Sequence, residues 1–167
     1  MIVLVSLCLQ AGRSRFFSDK NPVCKYRVRR HHEIPWGFVM TVEDVLRDKG
    51  HEVHTIGSGA SLHEAAGVML DRNIGALLCV DGSGGIIGIL SERDLTRSMA
   101  MHGHEAIDRT VSQCMNRDVI ACRADDEVGN LLSIMTETRC RHLPVVHEGR
   151  VIGLVSIGDL IKAEHRL

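Results

Sequence analysis

Gly88-Ile-Leu-Ser-Glu-Arg-Asp94 and Gly153-Leu-Val-Ser-Ile-Gly-Asp159 are the two stretches that decide the fold. Each is an apolar, strand-like run ending in Ser-x-x-Asp and passing directly into a helical pattern. A serine at that point caps the helix, and an aspartate in the first turn suits the positive end of the helix dipole. Capping explains either copy alone. It does not explain why both copies hold Gly, Ser and Asp at one spacing while the residues between them differ.

Working outward, the rest of the chain from Met40 repeats as well. Thr41-Val-Glu-Asp-Val-Leu46 resembles Thr110-Val-Ser-Gln-Cys-Met115. Three extra residues then fall in the first copy, after which Val53 matches Val119 and Leu62, Ala65, Ala66 and Met69 match Val128, Leu131, Leu132 and Met135. That spacing is one apolar helix face. Ser61 and Glu64 form a capping box at its start, and Asp125 or Asp126 is the expected cap in the second copy. Ala76–Val80 and Ile86–Leu90 read as a β-hairpin around Asp81-Gly-Ser-Gly-Gly85, with His142–Val146 and Val151–Val155 as the counterpart around His147-Glu-Gly-Arg150. A second helix is expected from about Glu92 and about Ile157. Each copy is therefore β-α-β-β-α, and the fold class is α/β (α+β). Neither copy is large enough to bury its apolar faces alone, so the two are expected to pack together. The expected division is a first repeat over 40–106 and a second over 107–167.

Residues 1–39 lack this patterning. They are rich in arginine and lysine, are interrupted by Pro22, Pro35 and Gly37, and read as an irregular, mobile extension. The whole chain is otherwise ordinary: 44% hydrophobic, 25% charged, with a formal net charge of -1. Such a balance lacks the basic excess that marks nucleic-acid binders. No run approaches the ~20 apolar residues of a membrane span. The six cysteines form no Cys-x-x-Cys pair and read as buried free thiols of a reducing compartment, so a cytoplasmic location is expected. Gly82-Ser-Gly-Gly-Ile-Ile-Gly88 leads into a strand and reads as a hairpin turn, not a phosphate loop. His102 with His104, and His31 with His32, lack the further ligands a metal would need. No nucleophile, base and orienting group occur together, so no enzymatic activity is expected.

The stretch 40–167 resembles a tandem pair of cystathionine-β-synthase (CBS) domains. The Ser-x-x-Asp elements look like that family's ribose-binding motif, and Arg141-His-Leu-Pro-Val-Val146 is similar to its central strand. The resemblance implies two repeats about a pseudo-twofold axis, clefts between them, and a homodimer. It also implies an adenine nucleotide as ligand, with AMP first and ATP, NAD(H) or S-adenosylmethionine as variants, and no metal. Carried over residue by residue, Asp94 and Asp159 would hold ribose hydroxyls with help from Ser91 and Ser156. Thr55–Ala60 and Ala121–Arg123 would meet the adenine through backbone groups. Arg93, Arg97, Arg141 and His142 are the candidate phosphate partners. Arg93 is replaced by Gly158 in the second copy, and Arg141-His142 by Gly75-Ala76 in the first, so the copies are not equivalent. The family habit of mixing contacts from both repeats makes the Asp94 site, supplied by Arg141 and His142, the expected phosphate site. The function implied is a regulatory sensor signalling to a separate effector protein. The alternative is a protein-interaction module whose clefts are vestigial.

Overall fold

The protein is described by a computed structural model covering residues 39–166. The arginine- and lysine-rich segment, Cys8, Cys24 and the His31-His32 pair lie outside the described residues.

Helix α1 (Val42–Lys49) opens the chain, followed by strand β1 (Thr55–Gly57), α2 (Leu62–Arg72), β2 (Ala76–Val80), β3 (Ile86–Ser91) and α3 (Glu92–His102). A 3-10 turn (Gly103–Asp108) leads to α4 (Val111–Cys114), then β4 (Cys122–Arg123), α5 (Val128–Thr138), β5 (His142–His147), β6 (Arg150–Ser156) and α6 (Ile157–Glu164). The β-α-β-β-α order expected from the repeat is therefore present twice, each time preceded by a helix.

The described chain falls into two compact units, 53–119 and 39–52 with 120–166. The sequence repeats and the compact units divide the chain differently. Helix α1, which opens the first copy, packs in the unit that holds the second copy's sheet. Helix α4, which opens the second copy, packs with the first copy's sheet. Backbone hydrogen bonds stitch both in place. Val42 N–H donates to Asp126 O (3.0 Å) and Glu43 N–H to Ala124 O (2.8 Å) in one unit. In the other, Val111 N–H donates to Ala60 O (2.8 Å) and Ser112 N–H to Ser58 O (2.9 Å).

Each unit has a three-stranded sheet with the middle strand paired parallel on one side and antiparallel on the other, in the orders β1-β2-β3 and β4-β5-β6. The middle strands are continuous apolar runs because both their faces are covered. Leu77, Leu78 and Cys79 are fully buried in β2, as are Leu143 and Val145 in β5. The two sheets differ at one residue with a clear consequence. Leu78 N–H donates to His54 O at 3.1 Å, and β1 begins opposite Leu78. Its counterpart is Pro144, which has no N–H to give. Strand β4 accordingly starts one position later, with Cys122 opposite Val145, and is only two residues long.

Helix α2 starts as its capping box requires: Ser61 Oγ accepts Glu64 N–H (3.1 Å) while Glu64 Oε2 accepts Ser61 N–H (2.7 Å). Leu62, Ala65 and Met69 are buried on it, but Ala66 is exposed, so the buried stripe is narrower than the spacing suggests. The expected cap of α5 is corrected. The N-cap position is Glu127, with no side-chain cap bond. Asp126 instead turns its Oδ2 back to accept Arg123 N–H at 2.8 Å. The glycine-rich segment is a hairpin turn, in which Asp81 Oδ1 accepts Ser83 N–H and Gly85 N–H, both at 2.9 Å. The second hairpin is tighter than expected, because β5 and β6 extend to His147 and Arg150. The turn is then Glu148-Gly149, both with positive φ (47° and 75°), the type I′ geometry that matches strand twist.

Candidate functional site

The Ser-x-x-Asp element is built the same way in both units. The strand delivers its serine, in extended conformation, to the N-cap of the following helix. One helical turn on, the aspartate folds back. Asp94 Oδ2 accepts Ser91 N–H at 2.9 Å and Ser91 Oγ–H at 2.6 Å. Asp159 Oδ2 accepts Ser156 N–H and Ser156 Oγ–H, both at 2.8 Å. Both aspartates are half-buried, and in both the Ser bonds fall on Oδ2 only. A carboxylate offers about four lone-pair sites, so Oδ1 of each remains available to a hydroxyl-bearing ligand. The helix that follows is further fixed at its first N–H. Glu92 N–H donates to Gly75 O (3.1 Å) and Ile157 N–H to Arg141 O (2.9 Å), counterpart bonds in the two units.

The glycine of the element has a packing role. A Cβ at Gly88 would lie 2.6 Å from Met115 Sδ and 2.9 Å from the Asn116 carbonyl oxygen. A Cβ at Gly153 would lie 2.6 Å from a Leu46 methyl. The glycine therefore admits the segment that follows the opening helix in one unit, and that helix itself in the other.

The electrostatics of the two aspartates differ. Lys49, the last residue of α1, donates Nζ–H to Asp159 Oδ2 at 2.8 Å and to Leu154 O at 2.7 Å. Burial raises the pKa of Asp159, but the Lys49 ammonium and the two Ser156 donors more than offset this. The carboxyl is held below its ordinary range. Asp94 has no ion pair among the described residues. Lysine 49 was not among the residues singled out from sequence. The signal for it is the three-residue surplus of the first copy, which lengthens α1 to eight residues against four in α4.

The remaining candidates are placed as follows. Arg93 and Arg97 are exposed, one turn apart on α3, in the unit of Asp94. Arg141 is exposed and His142 half-buried at the start of β5, in the unit of Asp159. Thr55 is exposed at the start of β1, an edge strand. Both backbone groups of Ala60 are already engaged: its N–H donates to Gly57 O (3.1 Å) and its C=O accepts from Val111 (2.8 Å). Ala121 is buried, and Arg123 donates its backbone N–H to Asp126 and its Nε–H to Asp125 Oδ1 (2.9 Å). A shallow cavity of about 320 Å³ is lined by Met69, Leu70, Asn73, Ile74, Gly75 and Glu92; it borders the helix start but not Asp94.

Two sequence copies of one α-β-α-β-β-α order, each ending a hairpin in a capped Ser-x-x-Asp carboxylate, define a duplicated α/β repeat protein whose candidate site is carried twice. The CBS-domain family model matches residues 41–101 and 111–166. The chain belongs to the CBS-domain family and is a tandem CBS pair, a regulatory type of module. Among solved structures it is similar to a CBS-domain-containing protein of Agrobacterium tumefaciens, at 38% identity and TM-score 0.75, covering 79% of this chain and 99% of that one. It is also similar to the CBS domain pair of protein MJ0100, solved in complex with 5′-methylthioadenosine and S-adenosyl-L-methionine. There the identity is 27% and the TM-score 0.67, covering 77% and 98% of the two chains. Among curated proteins it is 30% identical over 137 residues to the mitochondrial CBS domain-containing protein CBSX3 of Arabidopsis thaliana. That match spans 75% of this chain and 66% of the relative. Among the described residues no helix is long and apolar enough to cross a membrane.

Proposed function

We propose that this CBS pair is a sensor that binds an adenosine-containing ligand through its ribose diol and passes the bound state to a partner protein. The observation that carries the reading is the doubled carboxylate. Asp94 and Asp159 are each anchored through Oδ2 by their own serine, with Oδ1 left as a charged acceptor at a helix start. Vicinal hydroxyls are the natural partner of such an oxygen, and hydrogen bonds to a charged acceptor are worth about 1.5–3 kcal/mol. The complex of the MJ0100 pair with two adenosine derivatives supports the ligand class. AMP is the first choice, with ATP, NAD(H) and S-adenosylmethionine as the other members of the class. Arg93, Arg97, Arg141 and His142 are the proposed phosphate partners. Thr55–Ala60 and Ala121–Arg123 are the proposed adenine loops, with Gly59 the residue whose backbone is least engaged in the first of them. The protein works in the cytoplasm, without metal and without catalysis.

The assembly proposed is a homodimer. Met99 and Met101 on α3 and Ile107 in the 3-10 turn are 59%, 69% and 46% exposed, apolar surface that a second copy would cover.

The test is thermal unfolding against AMP, ADP, ATP, NAD, NADH and S-adenosylmethionine. A ligand at about 100 times its dissociation constant adds roughly 2.7 kcal/mol, or about 5–11 °C for a chain of this size. The reading expects one adenosine ligand to stabilise the wild type and Asp94→Ala to remove most of that shift. No shift with any of them at millimolar concentration would sink it.

A further inference from the structure

The two candidate sites differ in one charged contact. In the unit of Asp94, the chain after α4 closes the edge of β3 with a backbone pair: Ile89 N–H donates to Asn116 O and Asn116 N–H to Ile89 O, both at 2.9 Å. The next cation, Arg117, donates to Ser112 O at 3.0 Å. In the unit of Asp159, the longer α1 brings an ammonium to the equivalent place. Leu154, the counterpart of Ile89, gives its carbonyl to Lys49, and the same Nζ reaches Asp159 Oδ2. His51 follows the same edge, with Nδ1 3.0 Å from Ile152 O.

Asp159 Oδ2 thus takes three donors, two from Ser156 and one from Lys49, and its lone pairs are filled. A diol at this site has only Oδ1, on a carboxylate whose charge is already compensated, so its hydrogen bonds are weaker than to a bare carboxylate. The ammonium has three N–H donors, of which Leu154 and Asp159 take two, and its side chain is 32% exposed. The third donor and the positive charge therefore lie at a carboxylate that is itself 25% exposed.

We propose that Lys49 sets the charge selectivity of the Asp159 site. It makes that site favour an anionic, phosphate-bearing adenosine ligand over the neutral nucleoside. The inference rests on the reading of Asp159 as a ribose site. A phosphate within several ångströms of the ammonium, in a region of dielectric between protein and water, is favoured on the order of tenfold or more. Neutral adenosine gains nothing from that charge.

The experiment is calorimetric titration of AMP and of adenosine into Asp94→Ala protein, which isolates the Asp159 site, with and without Lys49→Met, and with Lys49→Arg. Lys49→Met is expected to weaken AMP about tenfold while adenosine binding holds or tightens, so the AMP-to-adenosine ratio falls. Lys49→Arg, which keeps the charge, is expected to keep the ratio within about threefold. If Lys49→Met shifts both ligands by the same factor, the lysine is only a packing element and the inference is wrong. If the Asp94→Ala protein binds neither ligand, and Asp159→Ala leaves wild-type binding intact, the ribose reading of Asp159 itself fails and this inference falls with it. Thermal melts of each variant separate loss of charge from loss of fold.

Discussion

Substituting alanine for the glycine of each Ser-x-x-Asp element separates packing from ligand binding, and the two copies differ in cost. At Gly88 the new methyl meets Met115 Sδ at 2.6 Å and the Asn116 carbonyl oxygen at 2.9 Å. The methionine can move; the carbonyl cannot move cheaply, because it accepts Ile89 N–H at 2.9 Å in the pair that closes the β3 edge. Either the pair opens or α4 shifts from the sheet. Overpacking of this kind costs about 1–3 kcal/mol, and the backbone contact places Gly88→Ala at the upper end. At Gly153 the methyl meets only the ends of Leu46, at 2.6 and 3.0 Å, so a side-chain adjustment suffices and about 1–2 kcal/mol is expected. Urea and thermal unfolding of the two variants measure this directly. The Leu46→Ala background sharpens it. Leu46 is fully buried, so its truncation alone costs about 2–5 kcal/mol, yet it removes the atoms that Gly153→Ala strikes. The double variant is therefore expected to be more stable than the sum of the singles by about 1 kcal/mol. Met115→Ala is expected to give no such relief to Gly88→Ala. A Gly88→Ala protein with the wild-type midpoint would refute the reasoning.

Further outcomes follow from individual residues. Glu148 holds a left-handed conformation (φ 47°) in the β5–β6 turn, so Glu148→Asn, better suited to that region, is expected to raise the urea midpoint by about 0.5–1 kcal/mol equivalent; a lower midpoint would contradict the turn assignment. Burial pushes the Cys79 thiol up to about 12 and the Cys122 thiol higher still, so neither is expected to react with iodoacetamide at pH 8 until the protein unfolds, as peptide mapping would show. Carboxyls at Asp44, Glu64, Asp81, Asp125 and Asp159 are held below their ordinary values, so the stability they contribute is present above the unfolded-state values near 4 and is lost as the pH falls through the lowered folded-state ones. Asp126 has the opposite sign: burial raises it, so its ionised form costs stability at neutral pH. Asp126→Asn, which keeps an acceptor for Arg123 N–H, is expected to raise the melting temperature at pH 7 more than at pH 3.5. An equal effect at both pH values would remove burial of the charge as the cause.

The repeat was legible in the sequence because its signals are local. Helix periodicity at Leu62, Ala65 and Met69, the Ser61–Glu64 capping box and the apolar hairpin strands each depend on residues within one turn or one strand, and the structure keeps them. Ala66 is on the periodic face and yet exposed, whereas its larger counterpart Leu132 reaches the core of the other unit. The cap of α5 falls elsewhere because Asp126 turns its side chain back to the N–H of Arg123, three residues before it, and not forward to the helix. The exchange of α1 and α4 between sheets was not legible at all. It lives in backbone bonds such as Val42 to Asp126, between residues far apart in the chain. The same holds for Lys49: the three-residue surplus was visible, but only the path of α1 across β6 shows that it ends on Asp159. The motif residues stand out in the sequence because duplication marks them, whereas Lys49 has no twin.

The measurement that bears most directly on the central claim compares AMP with 2′,3′-dideoxy-AMP by calorimetric titration of the wild type and of Asp94→Ala. If Asp94 holds the ribose diol, the wild type is expected to prefer AMP by about 10- to 100-fold, matching one charged hydrogen bond of about 1.5–3 kcal/mol, and Asp94→Ala to remove the share of that preference due to its site, leaving only the weaker one of the Asp159 site. Equal affinity of the wild type for the two ligands would contradict the account, since the carboxylate would then be a helix cap and nothing more.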